Sequence, residues 1–210
     1  MFQPRPDFRP SYTVHISPTQ NVSGTSMWSA PDYWITVGHE LQSIISKLYG
    51  FDRGRIDFQD DELATVRYDV AMVPPKDIGE NAMKEAIRVA LQRELGLLLI
   101  RDIRRTDVYI VTAPNGPGVG IQETENFGTT IHIGGGGIAM RGTVGQFCSA
   151  LERELDCPVI DESQLQGRYS IEVQRGLKTK DQYFEQLRNE LGLLVSSGER
   201  DVEMLVVRRR

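Results

Sequence analysis

Apolar residues recur at helical spacing in four stretches of the chain. One stretch predicts a helix over residues 36–49, with Thr36 as its N-cap and an apolar face of Val37, Leu41, Ile44, Ile45 and Leu48. Another predicts a helix beginning at Thr143, where Gln146 completes a capping box and the apolar face is Val144, Phe147, Cys148, Leu151 and Leu155. The two remaining faces are Met83, Ile87, Ala90 and Leu91, and Phe184, Leu187 and Leu191. Gly96 and Gly192 follow these last two helices, where a left-handed turn commonly ends a helix.

Alternation of apolar and polar residues predicts half-buried strands between the helices. The alternating residues are Val66, Tyr68, Val70 and Met72 in the first half, and Tyr169, Ile171 and Val173 in the second. Short apolar strands are also predicted over 107–112 and 201–207. A hairpin is predicted where residues 131–133 and 138–140 flank the four glycines 134–137.

Short motifs recur in the same order along the two halves of the chain. Thr-Val-His-Ile at 13–16 returns as Thr-Ile-His-Ile at 130–133, and the Thr-Val-Gly that begins at Thr36 returns at Thr143. The later matches are Arg-Tyr at 67–68 and 168–169, Glu-Leu-Gly-Leu-Leu at 94–98 and 190–194, and Asp-Val at 107–108 and 201–202. The distances between successive motifs differ between the two halves in segments rich in glycine, proline and aspartate, where loops commonly vary in length. The order of the motifs predicts a tandem duplication.

The predicted fold class is α+β. Each copy is predicted as a β-β-α-β-α-β-β unit, with two helices packed on a mixed or mostly antiparallel sheet. The predicted organisation is a lead-in over 1–10, a first repeat over 11–113, a linker over 114–127 and a second repeat over 128–210.

Composition and charge exclude some classes of protein but do not identify the function. Hydrophobic residues make up 40% of the chain and charged residues 25%, which is typical of a folded globular protein rather than a disordered one. The 24 basic and 29 acidic residues give a net charge of −5, so a nucleic-acid-binding surface is not expected. No apolar run reaches the roughly 20 residues that a membrane-spanning helix needs.

No motif predicts a catalytic residue, a cofactor or a metal ion. His15 and His132 recur at matching places in the repeat, but the sequence signals no orienting partner or nucleophile beside them. Both are interpreted as surface histidines of strands. Cys148 and Cys157 are interpreted as free thiols, because the helix and turn between them hold their Cα atoms too far apart for a disulfide.

Glycine-rich and acidic segments have the wrong spacing for ligand loops. The glycines 134–137 are not followed by the lysine of a phosphate-binding loop, and those within 116–120 lack the Gly-x-Gly-x-x-Gly spacing of a dinucleotide-binding loop. The acidic clusters 60–62 and 161–162 lack the alternating ligand spacing of a calcium loop. The glycines are therefore interpreted as turns and the acidic residues as solvated loop charge.

Three aromatic residues form the one cluster with a candidate functional role. Trp28, Tyr33 and Trp34 precede the first predicted helix, and the second half has no aromatic counterpart. Such rings can anchor a partner or a ligand, and they can equally cover a sheet. Both interpretations stay open from the sequence.

The chain resembles an uncharacterised soil-associated family of bacterial proteins. The residues that carry the resemblance lie at 12–16, 36–50, 66–70, 91–95, 107–111, 115–117, 142–151, 158–161, 165–169 and 191–194. Each half also resembles the short domain at the N-terminus of secretins and TonB-dependent receptors. These resemblances imply export, a docking role in the bacterial envelope, and no assigned activity or catalytic residue.

We therefore expect a non-enzymatic docking module whose partner is another envelope protein. An extracytoplasmic location is expected if a leader has been removed, and a cytoplasmic one if no leader precedes Met1. The first alternative is a protein that binds a small ligand or a glycan through Trp28, Tyr33 and Trp34. The second is an unrecognised hydrolase. The sequence does not predict an oligomeric state.

Overall fold

The protein has five α-helices and twelve strands within the residues that the computed structural model describes, which are 11–21, 24–125, 128–134, 137–174, 176 and 179–210. The helices are α1 Leu41–Tyr49, α2 Asp61–Thr65, α3 Glu80–Glu94, α4 Val144–Leu155 and α5 Lys180–Leu191. The strands are β1 Ser11–Pro18, β2 Ser26–Ala30, β3 Tyr33–Glu40, β4 Ile56–Phe58, β5 Arg67–Val73, β6 Leu97–Thr112, β7 Ile121–Glu123, β8 Thr130–Gly134, β9 Gly137–Gly142, β10 Val159–Asp161, β11 Tyr169–Gln174 and β12 Leu194–Arg209. The α+β fold class is confirmed.

Two units divide the chain, and neither is one continuous segment. Of the described residues, unit 1 contains those within 11–51, 56–102 and 204–210, and unit 2 contains those within 52–55 and 103–203. The strands β6 and β12 therefore contribute residues to both units. The predicted lead-in 1–10, Gly135 and Gly136 of the predicted turn, and residues 126–127 of the predicted linker lie outside the described residues.

Unit 1 is built on an antiparallel sheet with the strand order β1-β5-β3-β2. Successive residues of a strand point to opposite faces, and both faces of β3 and β5 are apolar. One face packs with α1 and α3 in a core that includes Trp34 and Met72, which are cross-strand partners. The opposite face holds a smaller buried cluster of Ile35, Ala71 and Val73. This second apolar face is the reason that β5 is buried almost continuously and not in alternation.

Unit 2 is built on an antiparallel sheet with the strand order β7-β11-β9-β8. Its core gathers the buried residues of α4 and α5 with those of β9 and β11. The predicted capping box at Thr143 is confirmed: the Thr143 hydroxyl accepts from the Gln146 amide, and the Gln146 side chain accepts from the Thr143 amide. The predicted alternation in β11 is confirmed, because Tyr169, Ile171 and Val173 are all buried.

The prediction of a helix that begins at Thr36 is wrong. Thr36 lies in β3, opposite Val70 of β5, and the helix begins at Leu41, whose amide donates to the Val66 carbonyl at 2.8 Å. The spacing of apolar residues could not distinguish a strand from a helix over residues 36–40, because Val37 stands four residues before Leu41 and so also fits the apolar face of a helix. Pairing with β5 keeps residues 36–40 extended, and Gly38, at φ +69°, lies at the irregularity between Thr36 and His39.

The element order differs from the predicted unit in three ways. Three strands precede α1 and α4 where two were predicted, and a short strand, β4 or β10, follows each of these helices. Each half closes on one 16-residue strand in place of two short ones. Gly96 and Gly192 have the predicted positive φ at the ends of α3 and α5. The tandem duplication itself stays a prediction.

Part of the predicted linker is packed structure. The Gly118 amide donates to the Leu191 carbonyl and the Gly120 amide to the Glu190 carbonyl, both at 2.8 Å. Residues 121–123 then form β7, which pairs with β11. A Cβ atom at Gly118 would stand 2.5 Å from the Gly192 nitrogen. Glycine there allows close backbone approach, so its presence does not indicate a flexible connection.

Candidate docking groove

The helix α3 forms one wall of an open groove in unit 1. Gly79, with φ +80°, precedes the helix, and its amide donates to the Asp77 carboxylate at 2.7 Å. The predicted apolar face is confirmed, since Met83, Ile87, Ala90 and Leu91 are all buried. That face holds α3 on the sheet and leaves the adjacent side of the helix exposed beside β1, against which α3 packs.

A second stripe along α3 faces the groove. It consists of Ala82, Ala86, Val89 and Arg93, residues that recur at helical spacing beside the buried face. Together with Tyr12, Thr13 and Val14 of β1, they line a cavity of about 610 Å³. Tyr12 is 54% exposed and Val89 is 53% exposed, although both are large and apolar. The two alanines have short side chains, so space remains between the helix and the strand.

The strand β1 forms the other wall and lies at the edge of its sheet. Among the described strands its neighbour is β5 alone, paired in an antiparallel register from His15 opposite Ala71 to Pro18 opposite Tyr68. The register is irregular between Ser11 and His15, and such irregularities re-aim side chains. β1 contains no Lys, Arg, Asp or Glu, the residues that often protect an edge from pairing with another strand. The absence of charged residues favours pairing with an added strand, whereas the irregular register and Pro18 are features that can protect an edge.

Two charged side chains stand at the rim of the groove. Glu85 accepts from Arg88 at 3.1 Å, and Arg93 donates to Glu94 at 3.1 Å. Arg88 is held independently of Glu85, because its guanidinium also donates to the Leu48 carbonyl and lies 4.9 Å from the centre of the Tyr49 ring. Glu85 and Arg93 can therefore exchange their exposed partners without loosening the contact between α3 and α1.

The structure separates the three aromatic residues singled out from the sequence. Trp34 is 2% exposed and packs in the core of unit 1, so this ring covers the sheet and presents no surface to a partner or a ligand. Trp28 stands opposite Ile35 and shares the other face of the sheet with Tyr33, where both rings are half-buried around Ile35. The alternation of side chains along β3 places neighbouring residues 33 and 34 on opposite faces.

The two repeated histidines are exposed, as interpreted, but they are not at matching places. His15 lies on β1, which borders β5, whereas His132 lies on β8, which borders β9. The acidic clusters have local structural partners: Asp60 caps α2 by accepting from the Leu63 amide, and Asp161 accepts from Ser163. Over the described parts of the chain, no group of three His, Cys, Asp or Glu side chains could hold a metal ion.

Both cysteines are free thiols. Cys148 is buried, and burial raises the pKa of its thiol, with the charges of Asp161 and Glu152 acting in the same direction. Burial also raises the pKa of the half-buried Cys157, whose Sγ donates to the Asp107 carbonyl at 3.7 Å. A raised pKa leaves less thiolate at neutral pH, so neither environment is that of an activated nucleophile.

The groove is not predicted by the amino-acid sequence. Periodicity identifies the buried face of α3, and the exposed Ala82 and Val89 and the half-buried Ala86 do not stand out from the polar residues around them. The interpretation of His15 as a surface histidine of a strand implies a strand here, but the local sequence does not encode the order of strands in the sheet. The one available indication is Tyr12, a large apolar residue in a strand without charged side chains.

The sequence matches a protein family over most of its length. A family model described as a protein of unknown function, DUF3738, matches residues 42–209. The chain belongs to the DUF3738 family. The DUF3738 match includes α3 and begins after β1, so it covers one wall of the groove. Neither the curated proteins nor the solved structures gave a match. Within the described residues, no helix of this DUF3738 protein is long and apolar enough to cross a membrane.

Proposed function

We propose that the protein is a non-enzymatic docking module that binds an extended segment of a partner protein along β1. The observation that carries this proposal is the groove between the edge strand β1 and the exposed stripe of α3. An extended segment can pair with the backbone of an edge strand while its alternate side chains enter an adjacent groove. Backbone pairing supplies affinity, and the groove supplies selectivity.

The shape of the site supports a strand as the occupant. An edge strand offers a row of backbone donors and acceptors at strand spacing, and an added strand matches both chemistry and spacing. Tyr12 and Val89 present apolar surface on both sides of the groove, and Ala82 and Ala86 leave room for a side chain between them. A bulky apolar residue of the partner would remove this surface from water.

The partner in this proposal is another protein of the bacterial envelope, and the module is extracytoplasmic. The support is the resemblance to soil-associated bacterial proteins and, for each half, to the short N-terminal domain of secretins and TonB-dependent receptors. These domains are docking modules, which agrees with the use of an edge strand. The proposal assigns no catalytic residue and no cofactor.

A display library of random twelve-residue peptides tests the proposed site on the full chain. We expect selected peptides to alternate apolar and polar residues, and to protect amides of β1 from hydrogen exchange. Val89→Lys should block the groove and weaken binding of a selected synthetic peptide by at least about tenfold. The matched control is Val119→Lys, because Val119 is 92% exposed in unit 2 and lies outside the groove.

Three outcomes would overturn this proposal. Failure of every library peptide to bind more tightly than about 1 mM would remove the acceptor function. Equal loss of binding in Val89→Lys and Val119→Lys would place the contact elsewhere. Concentration-dependent self-association that Val89→Lys abolishes, measured by analytical ultracentrifugation, would assign the groove to a second copy of this chain.

A second candidate function rests on Trp28 and Tyr33. These two half-buried rings share one face of the unit 1 sheet, which is an arrangement able to stack on a sugar or another flat ligand. The test is titration with soluble cello- and chito-oligosaccharides, followed by tryptophan fluorescence. Binding that Trp28→Ala abolishes and Val89→Lys leaves unchanged would favour this function over strand docking.

A further inference from the structure

The rim of the docking groove carries opposite charges at a defined separation. Glu85 and Arg93 both line the cavity and are eight residues apart on α3. A helix rises about 1.5 Å per residue, so about 12 Å separates their positions along the helix axis. A strand rises about 3.3 Å per residue, so an added strand that ran along α3 would cover this distance in about four residues.

A four-residue spacing would place two charged residues of the partner, and an apolar residue midway between them, on the same face of the added strand. Strand residues four positions apart point to the same face, as does the residue midway between them. Val89 stands midway between Glu85 and Arg93 on α3, and Ala86 leaves space beside it. A partner residue between two charged residues would therefore meet the apolar part of the groove.

We propose that the partner segment carries a basic and an acidic residue four positions apart, with a large apolar residue midway. The basic residue would face Glu85 and the acidic residue would face Arg93. This inference rests on the proposed docking function and specifies its partner. The exposed ion pairs that Glu85 and Arg93 make within α3 contribute little stability, so a partner can replace them.

The test uses fluorescent seven-residue peptides with phenylalanine at the fourth position and the full-length protein. The second and sixth positions are Lys and Asp in either order, Lys and Lys, Asp and Asp, or Gln and Asn. We expect the wild-type protein to bind the better Lys/Asp peptide at least about fivefold more tightly than either like-charged peptide. Moving the charges to a spacing of three residues should remove this preference, because one charge then points away from the groove.

Charge reversal of each rim residue should switch the ranking. With Glu85→Lys both rim charges are positive, so the Asp/Asp peptide should bind most tightly. With Arg93→Glu both are negative, so the Lys/Lys peptide should bind most tightly. The matched controls are Glu199→Lys and Arg105→Glu, which reverse the exposed pair in unit 2 and change the net charge equally. Both controls should keep the wild-type ranking.

The outcomes separate this inference from the proposed function. If the rankings stay unchanged in both rim variants while Val89→Lys abolishes binding, the charge pattern is wrong and strand docking stands. If the unit 2 controls switch the ranking as the rim variants do, net charge explains the preference and the inference fails. If the wild-type protein binds no phenylalanine peptide while a peptide selected from the library still binds, the inference is wrong and strand docking stands. Circular dichroism of each variant verifies that the fold is kept.

Discussion

Arg55 and Glu152 form a bidentate ion pair within unit 2. Arg55 Nε lies 2.6 Å from Glu152 Oε1, and Nη2 lies 2.9 Å from Oε2. Glu152 is 3% exposed, and its Oε2 also accepts from the Val159 amide at 3.1 Å. The hydrogen bond to Glu152 raises the pKa of Arg55. Residues 52–55 thus join a unit whose other residues begin at 103, and a buried carboxylate depends on them.

Arg55→Met should destabilise the protein by about 3 kcal/mol, because it leaves the buried Glu152 carboxylate without its cation. Replacing both residues, in Arg55→Met with Glu152→Leu, should recover part of this loss. The measurement is the free energy of unfolding from urea titrations. The control is Arg200→Met, which breaks the exposed pair with Glu162 and should change stability little. Equal losses in the two single variants would contradict the assigned role of Glu152 burial.

Trp34→Ala and Trp28→Ala should differ in their effect on stability. Trp34 fills the core of unit 1, so its removal should cost about 3–5 kcal/mol in the free energy of unfolding. Trp28 is half-buried on the other face, so its loss should cost clearly less. Urea denaturation of both variants gives the comparison. A larger loss for Trp28→Ala would mean that the outer face, and not the helix-facing core, carries the stability of the sheet.

Gly118→Ala and Gly145→Ala should change stability in opposite directions. A Cβ at Gly118 would collide with backbone atoms of Leu191 and Gly192, and relieving that contact should cost about 1–3 kcal/mol. A Cβ at Gly145 meets its nearest neighbour at 3.6 Å, and alanine favours the helix by up to about 1 kcal/mol. Thermal unfolding of the two variants is the measurement. Stabilisation by Gly118→Ala would show that residues 114–120 do not pack closely against the end of α5.

Stability should fall below neutral pH partly through His39. Burial lowers the pKa of His39 below its ordinary value of 6.5, and the positive charges of Lys47 and Arg67 act in the same direction. The backbone hydrogen bond to Ser26 and the charge of Glu40 oppose this shift. The unfolded chain therefore takes up the His39 proton first, and stability is lost as the pH falls through 6.5 towards the folded pKa.

The His39→Gln variant should lose less stability than the wild-type protein between about pH 8 and about pH 5.5. The measurement is the free energy of unfolding at each pH. His15→Gln is the matched control, because His15 is exposed on β1, and it should follow the wild-type curve. A His39→Gln curve that coincides with the wild-type curve would contradict the lowered pKa of His39.

The local sequence predicted an element correctly where the spacing of its apolar residues fits only one kind of secondary structure. The faces of α3 and α4, the Thr143 cap and the alternation of β11 are each set by residues within one or two turns or strand steps. The repeated arginines make long-range contacts instead: Arg67 donates to the Gly24 and Gly38 carbonyls, and Arg168 donates to the Gly128 carbonyl, in each case 29 or more residues away along the chain.

Tertiary structure alone decided the start of α1, the side of the sheet that each aromatic ring occupies, and the groove. Residues 36–40 fit a helical spacing, and pairing with β5 made them a strand. Trp34 and Tyr33 separated because β-strand alternation sends neighbours to opposite faces, and only the packing of α1 and α3 made one face the main core. Likewise, Tyr12 and Val89 line the same groove only because β1 lies at the sheet edge beside α3. Such outcomes depend on contacts between residues far apart in the chain, whose free energies no short window of sequence contains.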